Sequence, residues 1–131
     1  MIVTATVTVS ANTSLALPQR SGLTLPAGVL RHWWVGWRYG VADLAGLRVL
    51  YRESQVLPWT IGEYLPSFDG VLEFPDELDV WESPRELIIE TYNLDDTYAH
   101  TVWLAAYIDR DNTWLKLYQT IIEALRVQQY A

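Results

Sequence analysis

Ile2-Val3-Thr4-Ala5-Thr6-Val7-Thr8-Val9 is the stretch that decides the fold. Ile2, Thr4, Thr6 and Thr8 alternate with Val3, Ala5, Val7 and Val9, the period of two of an extended strand with one apolar face. Threonine keeps strand propensity high on the polar side. A signal peptide would instead carry a basic segment followed by a continuous apolar one, so a soluble protein is expected.

Outward from this strand, the same grammar recurs. Ser10–Ser14 reads as a turn, Leu15–Leu17 as a short strand, Pro18–Gly22 as punctuation and Leu23–Gly28 as an extended piece ending in a turn. In Val29–Tyr39, Val29, Arg31, Trp33, Val35, Trp37 and Tyr39 form the expected core face, and Leu30, His32, Trp34, Gly36 and Arg38 the other. Trp34, a large ring beside ionisable groups, is a candidate contact residue. Leu47–Arg52 and Gln55–Trp59 read as a hairpin, with Pro58 at a strand end or edge. Thr60–Gly70 is loop-like, Val71–Phe74 a brief strand closed by Pro75, and 76–84 an irregular acidic loop with Leu78, Val80 and Trp81 as anchors. Arg85–Tyr92 and Tyr98–Ile108 read as a central hairpin whose tip, Asn93–Thr97, is built from residues that bond nearby amides.

At the end the period changes. Trp114, Leu117, Tyr118, Ile121, Ile122 and Leu125 fall at the spacing of one helical stripe, with Asp111, Asn112 or Thr113 available as a cap. The expected fold is mainly β: an antiparallel two-sheet β-sandwich, jelly-roll-like, over residues 1–110, followed by one C-terminal amphipathic α-helix in 111–131.

Composition narrows the function. The 131 residues are 50% hydrophobic, with seven Trp and eight Tyr, which excludes a disordered chain and exceeds what a small core usually absorbs. Some rings therefore belong on a contact surface. The net charge of −7 is uneven: the first sixty residues carry five Arg against Asp43 and Glu53, while the remainder carries fourteen acids against four bases. That asymmetry suits head-to-tail subunit contact or an ordinary solvated face. No basic stretch offers itself to nucleic acid, and no apolar run is long enough for a membrane span.

Catalytic chemistry finds little to use. There is no cysteine, hence no disulfide, thiolate or cysteine–zinc site. His32 and His100 sit in strand settings without a nucleophile motif, and the acidic pairs Asp69/Glu73 and Asp76/Asp79 have no specific glycosidase spacing. Asp76, Glu77, Asp79 and Glu82, or Asp95 and Asp96, could offer oxygens to calcium, but neither segment follows the EF-hand pattern. No catalytic residue, cofactor or metal is expected.

Ala45–Leu50, Gln55–Trp59 and, above all, Tyr92-Asn93-Leu94-Asp95-Asp96-Thr97-Tyr98-Ala99-His100-Thr101 resemble small β-sandwich proteins of tailed bacteriophages that decorate or complete the virion, at head or tail. The resemblance spans about residues 23–108 and leaves out the C-terminal helix. It implies a non-enzymatic virion structural protein that forms homo-oligomers and binds other virion proteins. Trp34, Trp114, Leu117, Tyr118, Ile121, Ile122 and Leu125 are the candidate interface. The alternative is a carbohydrate-binding module that uses surface Trp and Tyr.

Overall fold

The computed structural model describes residues 1–38, 41, 43–111 and 113–129, and within the last stretch the side chains of 117–126. Among the described residues, nine strands precede one helix: β1 Ile2–Val9, β2 Gln19–Thr24, β3 Val29–Trp37, β4 Ala45–Tyr51, β5 Ser54–Leu57, β6 Leu65–Pro66, β7 Val71–Asp79, β8 Glu86–Asn93, β9 His100–Asp109 and α1 Thr113–Gln129. One antiparallel sheet runs β1-β9-β3-β7 and the other β2-β8-β4-β5, with β6 added beside β4. With the two-residue β6 set aside, this is the strand order of an eight-stranded jelly roll, and the sandwich expected from the alternating pattern is present.

The core lies between the sheets. Val9, Leu30, Trp33, Val35, Leu47, Val49, Leu87, Ile89, Leu104 and Ile108 are all fully enclosed there. Each large aliphatic side chain so placed gains about 1.5–3 kcal/mol over exposure. Trp33 also satisfies its indole, donating from Nε1 to Asp76 Oδ2 at 2.8 Å.

Four local readings are corrected. The face assignment in β3 fails at one point: a bulge between Leu30 and His32 turns Arg31 out to Glu77 Oε1 at 3.2 Å and buries Leu30 in its place. Leu15–Leu17 is not a strand. The strand lies at Gln19–Thr24, a polar stretch that pairs only with β8 and so sits at a sheet edge. Pro75 does not end β7, which continues through 76–79 of the expected acidic loop; β7 is an edge strand and pairs only with β3, so the missing amide donor is tolerated. The pair β8 and β9 is not a hairpin. Each is interior to a different sheet, and 94–99 arches between them. Among the described residues only β4 and β5 form a tight hairpin, with Pro58 just beyond β5.

The outer side of the second sheet holds a buried ion network. Glu90, 4% exposed, accepts from Arg48 Nε at 2.9 Å and from Arg20 Nη1 at 3.3 Å. The Tyr64 ring lies under the Arg48 guanidinium, 4.6 Å away, and meets Tyr92 edge-on at 4.9 Å. The segment expected to be loop thus packs across this face.

Candidate functional site

The helix forms where the sequence period changes, over Thr113–Gln129, and Arg126 in its last turn complements the helix dipole. Its apolar stripe is open. Leu117 is 48% exposed, Tyr118 62%, Ile121 50% and Leu125 52%, and only Ile122 is half-buried. The side chain of Trp114 lies outside the described residues, as do Asn112 and the Thr113 side chain among the proposed caps. The described core is drawn entirely from residues 7–108, so the sandwich closes without the helix. Beside the stripe, Tyr118, Gln119, Ile122, Glu123 and Arg126 line a hollow of about 360 Å³.

Trp34 belongs to a different surface, the outer face of the β1-β9-β3-β7 sheet. Its Nε1 donates to Glu73 Oε2 at 3.0 Å, its neighbour His32 is tilted against it at 4.5 Å, and His32 Nε2 lies 3.5 Å from the same carboxylate. Register sets Trp34 beside Ala105 and Gly36 beside Trp103. A Cβ on Gly36 would collide with Trp103 Cε2, Cζ2 and Nε1 alike, which means that the indole lies across the glycine, face down. Tyr107 and the exposed Thr4, Thr6 and Thr8 continue this face. Trp103 and Tyr107 belong to the alternate set Thr101, Trp103, Ala105 and Tyr107, a period-two signal present in the sequence.

The histidine and acidic candidates are mostly engaged in holding structure. His100 Nε2 and Asp95 Oδ2 are 2.8 Å apart, and Asp95 Oδ1 accepts from the Thr97 and Tyr98 amides at 2.9 and 3.2 Å. The Thr97 amide foremost, then the His100 ring and the Tyr98 amide, hold the Asp95 carboxyl below its usual range. Asp76 is committed to Trp33 and to the Glu77 amide. Among the described residues no group of three or more His, Cys, Asp or Glu is arranged to hold a metal ion.

The chain matches no protein-family model, no curated protein and no solved structure. No described helix is long and apolar enough to cross a membrane.

Proposed function

We propose that this protein is a non-enzymatic structural or auxiliary component of a virion, self-associating through its C-terminal helix and binding other particle proteins. The observation that carries the reading is the open stripe of Leu117, Tyr118, Ile121 and Leu125 on a helix that the sandwich does not need. A contiguous apolar surface of this kind marks a contact site, and at seventeen residues the helix is close to the length at which an isolated helix is marginal in water. A second copy of the stripe relieves both conditions. Jelly rolls serve as capsid domains, which agrees with the resemblance to phage virion proteins, though fold alone does not fix function.

The test is mass by light scattering over a range of concentrations, for the full chain and for a variant lacking residues 112–131. An oligomer that falls to a folded monomer on truncation supports the reading; an oligomer of unchanged stoichiometry overturns it.

A second reading, carbohydrate binding, is favoured by the Trp34 and Trp103 rings exposed in part on one sheet face with Glu73 and His32 beside them. Jelly rolls also serve as lectin domains. Chemical shifts at Trp34 and Trp103 on adding an oligosaccharide would support it, and their absence would remove it.

A further inference from the structure

We propose that the hollow between the β4–β5 turn and the connection from β7 to β8 binds one neutral pyranose unit of a glycan. The hollow measures about 240 Å³ and is lined by Tyr51, Arg52, Asp79, Trp81 and Glu82. That is below the roughly 300–1,000 Å³ of sites for drug-sized ligands and suits a single small unit. Its chemistry is mixed in the way a sugar requires. Trp81, half-buried, offers an apolar ring; the Asp79 and Glu82 carboxylates accept hydrogen bonds; the Trp81 indole and the Tyr51 hydroxyl can donate. These four groups have no hydrogen-bond partner among the described residues, so none is already committed.

Arg52 is fixed in place at the rim. The turn joining Tyr51 to Ser54 holds Arg52 and Glu53 both at positive φ, 52° and 65°, a conformation that favours Asn and Gly and is strained for these two. The Arg52 side chain offsets that strain by donating from Nη2 to the Glu82 and Ser83 carbonyls at 2.9 and 3.2 Å, which ties the turn to the far wall. Its remaining N–H groups are left for a ligand oxygen. The guanidinium also lies 5.4 Å from the centre of the Tyr51 ring, so the face that would attract a ligand cation is occupied by the protein's own. An anionic sugar would meet two carboxylates. A neutral ring with vicinal hydroxyls, one apolar face on Trp81, fits both constraints.

This site is independent of the assembly reading and lies apart from the Trp34 face. The ¹⁵N-labelled full chain is titrated separately with methyl glucoside, methyl galactoside and methyl mannoside, with choline and N-acetylneuraminic acid as charged comparisons. Saturating amide shifts at residues 51–53 and 79–84 with at least one neutral glycoside are expected. Trp81→Ala and the isosteric Asp79→Asn should each weaken binding about tenfold or more, while Trp34→Ala leaves it unchanged. The remaining amide spectrum reports whether each variant is folded. No shift with any of the three glycosides overturns the proposal, as do shifts confined to the Trp34 face, stronger binding of choline or N-acetylneuraminic acid, or full binding by both the Trp81 and Asp79 variants.

Discussion

Asn93 Nδ2 donates to the Val9 carbonyl at 3.1 Å, so a residue at the end of β8 in one sheet is bonded to the end of β1 in the other. The same nitrogen donates to the Tyr98 carbonyl at 2.9 Å, and Oδ1 accepts from the Asp95 amide at 3.0 Å. Asn93 also exchanges backbone bonds with Thr13 at 2.9 Å each way. One fully buried side chain thus closes the end of the sandwich.

Asn93→Ala should therefore lower stability by about 1–3 kcal/mol, because the buried bond to the Val9 carbonyl and the part-buried bonds to the Tyr98 carbonyl and the Asp95 amide are lost. The urea midpoint should fall with the slope of the transition unchanged. An unchanged midpoint would remove Asn93 from this role.

What the sequence disclosed follows from where period alone suffices. β1 was legible to the residue because three of its four outward positions are Thr and its pairing with β9 runs without a register shift, and α1, Thr113–Gln129, falls inside the expected 111–131. The arch at 94–99 was not. Tips of Asn and Asp serve hairpins and arches equally, and what distinguishes them is distant in sequence: β8 pairs with β2 and β4, β9 with β1 and β3, and Asn93 bonds to Val9, eighty-four positions away. The bulge at Arg31 was hidden for a related reason: its position depends on the partners Leu78 and Pro75 across β7. Of the proposed interface, the helix stripe was readable as one surface, but nothing in the spacing could show that the sandwich leaves it uncovered. The hollow at Trp81 joins two segments nearly thirty residues apart and had no local signature beyond an aromatic in an acidic stretch.

Acid should weaken the arch. Because the folded structure lowers the Asp95 pKa, this carboxylate contributes stability above its unfolded value of about 3.9, and the contribution is lost as pH falls through the lower folded value. Urea midpoints for the wild type and Asp95→Asn, compared from neutral pH down to the acid range, should converge as pH drops below about 4. Parallel curves throughout would show that Asp95 does not contribute to the acid response.

The two arginines on Glu90 should differ in weight. Arg48 is the closer partner and its side chain is 25% exposed, whereas Arg20 is 48% exposed and also reaches Glu53 at 3.6 Å. Arg48→Ala leaves a buried carboxylate with one solvated partner and uncovers Tyr64, and should cost about 3 kcal/mol. Arg20→Ala should cost less than about 1 kcal/mol. Equal losses in denaturant titrations of the two variants would contradict this ordering.

The last prediction separates apolar from electrostatic association. The charge asymmetry between the two parts of the chain suits a head-to-tail contact or an ordinary solvated face, and Arg20 and Arg48 are paired with Glu90, Arg31 with Glu77 and Asp109, and Arg52 with the carbonyls of Glu82 and Ser83. Much of the early positive charge is thus used within the chain, so under the proposed assembly the contact is expected to rest on the apolar helix stripe. Ile121→Glu with Leu125→Glu places two carboxylates on that stripe, at positions half open to water and outside the core. Unfolding of the sandwich should change by no more than about 0.5 kcal/mol per site, as for surface substitutions. The oligomer should dissociate at concentrations where the parent is assembled, and the parent's mass should hold as salt is raised through the range that screens exposed charges. If the parent instead dissociates in salt, or the double variant keeps its mass, charge and not the helix holds the subunits together.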